Sequence, residues 1–324
     1  MFRKTWKQIR IFVFIIVIIA CIPHSILPIS SQSEDIDYYL RLNDSEKKLE
    51  EFKDDRQALE LKLRQLENIN RSRKRFSARP VKLDILASRV ANKMASEAAL
   101  NDYVGHWNLA GEKPYHRYAF AGGHDHVSEN AYGEWSSDAY ENKPFTISAM
   151  MKTGHDTFMK ERAPNDGHKQ TVIAKDHNFV GIGYHLSGKQ FRYYEEFIDR
   201  YLEFSNIPSK ARTGETGITV TTDGQNYLYL MIVYYEKFPQ PMKPKEISSK
   251  GSYNDFTNEQ YMQVYAWDLA KYRNGNAYNI PLTFKKEGLY YIHIFQDKKE
   301  YTRPASLSTK GKTPVSGIVI SVRN

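Results

Sequence analysis

The sequence predicts an α+β protein in which helices pack on a central sheet, between a hydrophobic and helical N-terminal part and a small all-β C-terminal part. Three observations lead to this prediction. Apolar residues run almost without interruption near the start, recur at three- and four-residue spacing in the middle, and form short runs between turn residues in the last third. With 324 residues and 41% hydrophobic content, the chain is long enough for two domains with packed cores.

Residues 11–23 form a hydrophobic run that follows four basic residues. The four are Arg3, Lys4, Lys7 and Arg10. This order predicts a signal peptide or a signal anchor over residues 1–30. The run is shorter than the ~20 residues that span a bilayer, and Cys21, in a loose lipobox, leaves a lipoprotein signal open as a third alternative. By the positive-inside rule the rest of the chain lies outside the cytoplasm, either membrane-anchored or secreted.

Residues 36–73 are highly charged and carry apolar residues at heptad spacing, with six apolar residues among nine seam positions. One seam position of the heptad is occupied by Leu42, Leu49, Arg56, Leu63 and Asn70. The other is occupied by Ser45, Phe52, Leu59 and Leu66. The pattern predicts a coiled-coil spacer helix through which the chain could form a homo-oligomer. A solitary helical spacer is the alternative. Residues 71–81 are predicted to be a linker.

Residues 82–205 are predicted to form a unit with an α-β-α arrangement. Lys82–Ala99 has an apolar stripe at helical spacing and predicts an amphipathic helix. Residues 143–161 predict another helix, whose methionines belong in the core rather than in a ligand set. Residues 179–186 and 190–198 are predicted strands.

Residues 213–324 have the pattern of an all-β unit. Ile218–Thr222, an Asp-Gly turn and Tyr227–Tyr235 predict a β-hairpin. Four further strands are predicted at 261–267, 278–284, 289–295 and 317–322. Together these runs predict a small sandwich-like domain with a role in binding or structural support, since it carries no catalytic motif.

Two histidines and two glutamates stand in glycine-rich or aromatic surroundings within residues 105–184. They are His106, Glu129, Glu161 and His168. Two imidazoles and two carboxylates that meet in one cleft could bind a divalent metal such as zinc, or hold an ordered water. Spacing along the chain does not show that they meet. From the residues alone, four separate polar side chains in loops and helix ends are the alternative.

The order of these motifs resembles the CAP superfamily, which comprises cysteine-rich secretory proteins, antigen 5 allergens and plant pathogenesis-related proteins and is also called the SCP domain. His106 follows the first helix of the unit, and Ser128-Glu129-Asn130 is similar to the family's Gly-Glu-Asn segment. The other matching segments are Phe158 to Glu161, Gly167-His168 and Val180-Gly181-Ile182-Gly183. The resemblance covers about residues 82–205, and the absence of cysteine from that range points to the cysteine-free branch.

The resemblance implies a shared cleft and its ligands. In this sequence the cleft would consist of His106, Glu129, Glu161 and His168, braced by Arg117 and Asn130. The two histidines would be the metal ligands, for a divalent ion such as zinc. A lipid, a sterol or a glycan is the implied ligand class.

The sequence also limits the alternatives. The basic clusters behind the net charge of +8 are not accompanied by a nucleic-acid-binding motif, so no nucleic-acid partner is expected. No nucleophile elbow and no His-Glu-x-x-His pair is present, and no catalytic residue is assigned. Two alternatives to a binding module remain open. One is a metal-assisted hydrolase that uses the same cleft, in which Ser128 lies next to Glu129, and the other is a structural or adhesive surface protein.

Overall fold

The computed structural model of the chain describes residues 30–253, 259–312 and 314–324. The hydrophobic run at 11–23, on which the signal or anchor prediction depends, lies outside the described residues. Of the helices that are described, none is both long enough and apolar enough to cross a bilayer.

The described residues form a mixed α and β fold, as predicted, with three sheets. The helices are α1 (Ser30–Ser45), α2 (Arg56–Arg75), α3 (Ile85–Leu100), α4 (Pro114–Phe120), α5 (Pro144–Lys160), α6 (Gly167–Ile173), α7 (Pro244–Ser248) and α8 (Ala266–Leu269). The strands are β1 (Lys82–Leu83), β2 (His126–Trp135), β3 (Phe179–Ser187), β4 (Gln190–Asp199), β5 (Glu203–Ser205), β6 (Lys210–Ala211), β7 (Gly214–Thr221), β8 (Tyr227–Glu236), β9 (Gln260–Tyr265), β10 (Arg273–Asn274), β11 (Ala277–Phe284), β12 (Gly288–Asp297) and β13 (Ile318–Val322).

One four-stranded sheet, in the order β1-β3-β4-β2, lies between helices. Helix α3 packs on one face, and α2, α5 and α6 cover the other. The close approach of α3 depends on two glycines of β3. A Cβ on Gly181 would lie 2.4 Å from the carbonyl carbon of Ala87, and one on Gly183 would lie 2.1 Å from that of Ala91. The Val-Gly-Ile-Gly run therefore needs its two glycines because the backbone of α3 lies directly on this strand.

The prediction of one continuous coiled-coil helix over 36–73 is wrong. Helix α1 ends at Ser45, Leu49 has a φ of 51°, and Asp55 caps a new helix by accepting a hydrogen bond from the backbone N–H of Ala58 at 2.7 Å. The two helices pack on each other and α2 packs on α5 and α6, so the apolar side of α2 is buried within the chain. Its fully buried Leu59 and Ile69 contribute to the same core as the sheet.

Buried cations hold these N-terminal helices in place. Arg73 of α2 is completely buried and donates to the carbonyl oxygens of Arg79, Val172 and His177 at 2.7, 2.6 and 3.0 Å. Lys62 is also completely buried, and it forms an ion pair with Asp54 at 2.6 Å. Since a buried charge without partners is very costly, these contacts fix α2 to the rest of the molecule rather than leave it as a spacer.

The C-terminal strands form two facing sheets with a common core. Their orders are β10-β11-β7-β5 and β6-β13-β12-β8-β9. Apolar residues of both sheets alternate into the space between them, among them Ile218, Ile280, Val233 and Ile292. Strands β7, β8, β9, β11, β12 and β13 lie close to the predicted positions. The predicted hairpin is wrong, however, because β7 pairs with β11 and β5 whereas β8 pairs with β12 and β9. The Asp-Gly turn therefore connects the two sheets.

The second face of the larger C-terminal sheet packs on α4 and the residues around it. The ring of Tyr291 in β12 stacks on that of Tyr115 in α4, with centroids 4.1 Å apart and planes 9° from parallel. Leu289 and Val319 join the same cluster beside Val90 of α3. This is why β12 is buried on both faces over its first eight residues.

Candidate functional site

The four residues singled out in the sequence line one cleft of about 690 Å³. His106 lies in the loop after α3, Glu129 in β2, Glu161 at the end of α5, and His168 near the start of α6. The ring centroids of the two histidines are 6.2 Å apart, with planes 29° from parallel. The fold therefore brings together residues that are up to 62 positions apart in the chain.

Each histidine is paired with its own glutamate. Nδ1 of His106 lies 2.8 Å from Oε1 of Glu129, and Nδ1 of His168 lies 2.5 Å from Oε1 of Glu161. Glu161 also accepts the backbone N–H groups of His168 and Lys169 at 3.0 and 3.3 Å, so it fixes the start of α6 as well as the ring. A carboxylate at Nδ1 fixes the tautomer with Nε2 unprotonated, which is the form that binds a metal or accepts a hydrogen bond.

Neighbouring side chains hold the two imidazoles in place. The ring of Phe158 stacks on His168 at 4.9 Å, which gives a physical role to the aromatic residue of the Phe158 to Glu161 segment. On the other side, Arg117 donates to the carbonyl oxygen of His106 at 2.6 Å and to the carboxylate of Glu129. Arg117 therefore connects the His106 loop to Glu129.

A second glutamate beside Glu129 has no counterpart among the predicted residues. Glu196 in β4 lies opposite Glu129 in the β2–β4 ladder, is 1% exposed, and has its carboxylate 3.6 Å from Arg117. Burial and the neighbouring Glu129 carboxylate raise the pKa of Glu196 well above its usual range. Burial raises the pKa of Glu129 as well. One guanidinium thus faces two buried carboxyl groups.

Asn130 connects the cleft to a buried network. Its side-chain amide donates to the carbonyl oxygen of His168 at 3.0 Å and to Glu195 at 3.3 Å. Glu195 in turn lies 2.8 Å from Nδ1 of His155, whose Nε2 lies 2.9 Å from the hydroxyl of Ser72. This Ser-His-Glu order has the contacts of a catalytic triad. However, His155 is 1% exposed and Ser72 lies inside α2, where backbone N–H groups are used by the helix rather than offered to an oxyanion. The role of the network is to hold the side chain of Asn130 in place.

The third wall of the cleft comes from the C-terminal half and was not predicted from the sequence. We call residues 237–253, which follow β8, the cleft strap. Ile247 of the strap is completely buried and lies against Gly105. A Cβ added to Gly105 would lie 2.9 Å from Cγ2 of Ile247. Tyr253 places its ring 4.8 Å from that of His106 and accepts the backbone N–H of Glu129 at 2.9 Å. No motif marks these residues; their position follows only from the packing of the two halves.

The donor set fits a metal ion in part. His106 and His168 supply two imidazole nitrogens, the kind of ligand that zinc binds, on rings whose centroids lie 6.2 Å apart. Over the three ranges that the structure describes, no group of three or more His, Cys, Asp or Glu side chains is placed to hold a metal. The protein would therefore provide two ligands.

Another histidine cluster lies at the start of β2. Asp199 accepts from Nδ1 of His126 at 2.8 Å and from Nδ1 of His177 at 2.7 Å. Burial alone would raise the pKa of Asp199, but the two imidazoles outweigh burial and lower that pKa to about 2. Both histidines lie outside the cleft, and they tie the turn before β3 to the ends of β2 and β4.

Comparison of this chain with known proteins finds similarity to parts of solved structures. No family model and no curated protein matches the chain. Among solved structures, the chain is similar to an outer surface protein from Borrelia burgdorferi, with 17% identity over 44% of this chain and 93% of that one and a TM-score of 0.35. It is also similar to an extracellular protein containing an SCP domain from Bacillus anthracis, with 16% identity, coverage of 43% of this chain and 40% of that one, and a TM-score of 0.32.

A superoxide reductase (neelaredoxin) from Ignicoccus hospitalis is a further similar structure, with 12% identity over 38% of this chain and 81% of that one and a TM-score of 0.21. All three TM-scores are below 0.5. The similarities therefore identify neighbours for part of the chain, among them one SCP-domain protein, and the function has to be argued from the cleft.

Proposed function

We propose that this chain is an exported, CAP-like binding protein whose cleft between His106 and His168 holds a ligand. The observation that carries the proposal is the pairing of each imidazole with its own glutamate in one cleft. Such pairs fix the orientation and the tautomer of a ring that has to present Nε2 to a metal or a ligand. The basic and hydrophobic N-terminus supports export, whether it is retained as an anchor or removed.

A divalent ion such as zinc is the proposed cofactor. His106 and His168 would bind it, while Glu129 and Glu161 would keep both rings in position. Zinc sites in proteins have three or four protein ligands as a rule. With two, the ion would complete its coordination with water or with donor atoms of the ligand. Such an ion would polarise a bound oxygen and connect the ligand to the protein.

The geometry supports binding more than hydrolysis. Ser128 lines the cleft, but in the described part of the chain its hydroxyl makes no hydrogen bond to a histidine, as an activated nucleophile requires. The Ser72 network has the contacts of a triad but is closed to a substrate by the burial of His155. A metal-assisted hydrolase is therefore the less supported use of the same cleft.

The proposal is tested by zinc titration of the full-length chain in detergent, with the midpoint of thermal unfolding and calorimetry as readouts. Zinc should raise the midpoint and bind with one equivalent, because an ion that binds only the folded state stabilises it. His106→Ala and His168→Ala should each abolish both effects. His185→Ala is the matched control, since His185 lies in β3 and does not line this cleft.

Two results would count against the proposal. One is zinc binding that is unchanged in both cleft variants, which would place the ion elsewhere. The other is the absence of any zinc effect on a wild-type chain that unfolds cooperatively. That result would reject zinc as the cofactor, and only the shape of the cleft would then support a binding function.

A further inference from the structure

The cleft strap is attached along the helix-covered half at several points. The backbone N–H of Met242 donates to the carbonyl oxygen of Leu109 at 2.8 Å. Gly111 is required by the same contact, because a Cβ there would lie 2.1 Å from the carbonyl oxygen of Gln240. Ile247 is completely buried in a cluster with Met94 and residues around it. The strap is thus a fixed part of the cleft, and one wall is missing without it.

Polar groups make up about half of the lining of the assembled cleft. Hydroxyl and amide groups line it on both sides, from Ser128, Asn130, Asn165, Thr171, Ser248 and Ser252. The apolar side chains that line it are Val104, Ala131 and Pro164. A site for an acyl chain or a sterol needs continuous apolar walls, and this cleft does not provide them.

The strap adds one aromatic ring and one cation to this polar lining. Tyr253 is half-buried, and its ring borders the cleft beside His106. Lys250 is exposed at the rim, with its ammonium 5.1 Å from the centre of the Trp107 ring. The carboxylates of Glu129 and Glu161 are already used by the two histidines, so hydroxyl, amide and imidazole groups remain as the main hydrogen-bonding partners for a ligand.

We propose that the ligand of the cleft is a saccharide, and that Tyr253 of the strap is the residue on which a sugar ring packs. This inference rests on the proposed function and names its ligand class. A pyranose has dense hydroxyl groups at its edge and apolar C–H faces, and it is matched by many small polar side chains around one amphipathic aromatic ring. The cleft volume of about 690 Å³ is within the range of sites for small ligands.

The test is binding of the full-length chain, in detergent, to an array of immobilised saccharides, with affinities measured for the saccharides it retains. Tyr253→Ala should weaken binding about tenfold through loss of the ring contact. Tyr253→Phe should retain most of the affinity, because it keeps the ring and loses only the hydroxyl that accepts from Glu129. Tyr201→Ala is the control, since Tyr201 is a partly exposed tyrosine outside the cleft. The thermal midpoint of each variant shows whether the strap remains in place.

Failure to retain any saccharide would overturn the proposal, and so would saccharide binding that Tyr253→Ala leaves unchanged while the fold is intact. Binding to phosphatidylcholine–cholesterol vesicles that depends on Tyr253 would overturn it in favour of a lipid. The zinc titration of His106→Ala and His168→Ala does not depend on any of these outcomes. A failed saccharide test with an intact zinc effect would therefore reject the ligand class and leave the proposed function standing.

Discussion

The N-terminal helices and the C-terminal β-sheets both look like appendages in the sequence, and both are integral to the structure, but for different physical reasons. The N-terminal helices combine an apolar face in the central core with buried cations that donate to carbonyl oxygens and a carboxylate, as Arg73 and Lys62 show. The C-terminal sheets are held by an aromatic and apolar core around Tyr115 and Tyr291. Heptad spacing and strand spacing each describe an element correctly in type but say nothing about what its outer face contacts.

Loss of the aromatic contact between the halves should have the largest effect. Tyr291 is completely buried and stacks on Tyr115, so Tyr291→Ala leaves a cavity at the contact. We expect a loss of about 4 kcal/mol in the free energy of unfolding, measured by urea denaturation. Tyr272→Ala, at a partly exposed position, should change it by less than about 1 kcal/mol. Equal effects would show that the halves do not share a core.

Loss of a buried cation should come next. Arg73→Ala leaves two buried carbonyl oxygens and one partly buried one without their donor, which should cost about 3 kcal/mol. Lys74→Ala changes the adjacent, exposed residue of the same helix and should be nearly neutral. If the unfolding curves of both variants match that of the wild type, α2 is a loosely attached spacer after all.

Acid should weaken the C-terminal contact through one carboxylate. Glu236 of β8 is bonded by Lys113 at 3.2 Å and by Tyr115, and His116 lies 3.4 Å away. Burial would raise the pKa of Glu236, but His116 and Lys113 outweigh burial and lower that pKa to about 2. A lowered pKa gives stability that is present above the unfolded value near 4.5 and is lost as the pH falls towards 2.

We therefore expect Glu236 to contribute about 2–3 kcal/mol at neutral pH, and Glu236→Gln to flatten the decline in stability between about pH 5 and pH 2. Stability measured by urea denaturation at each pH is the readout. A variant whose pH profile overlays the wild type would show that this carboxylate does not connect the halves.

The smallest effect is expected at Glu196 beside the cleft, and its neighbour Glu129 provides the contrast. Burial and the Glu129 carboxyl raise the pKa of Glu196, and its oxygens lie no closer than 3.6 Å to Arg117, so Glu196→Gln, which keeps the shape, should change stability at pH 7 by less than about 0.5 kcal/mol. Glu129→Gln removes the carboxyl group that accepts from Arg117 and lies 2.8 Å from Nδ1 of His106, and it should cost about 3 kcal/mol. Reversed effects would show that the two carboxyl groups have exchanged roles.

Local patterns predicted much of the central fold. Helices α3 and α5 and strands β3 and β4 lie within three residues of their predicted bounds, because each is amphipathic or β-rich and ends at clear turn residues. The break between α1 and α2 could have been found from Asp55, which is a good N-cap residue two positions after the Lys53 that ends the short helical turn. The heptad pattern obscured that signal.

The site was predictable to the extent that it uses residues of one motif set. His106, Glu129, Glu161 and His168 do line one cleft. Glu196 and Tyr253 could not be predicted, because the first depends on strand register and the second on how the two halves pack. Residues that reach a site through long-range packing leave no local periodicity in the sequence.

The central claim is that His106 and His168 present Nε2 to one shared ligand position. Long-range ¹H–¹⁵N NMR of the imidazole groups tests it most directly, with zinc added in steps to the full-length chain in detergent. Both rings should carry their proton on Nδ1 before zinc is added. One equivalent of zinc should then shift the Nε2 resonances of both rings together. Protonated Nε2 atoms, or a zinc response from only one of the two rings, would contradict it.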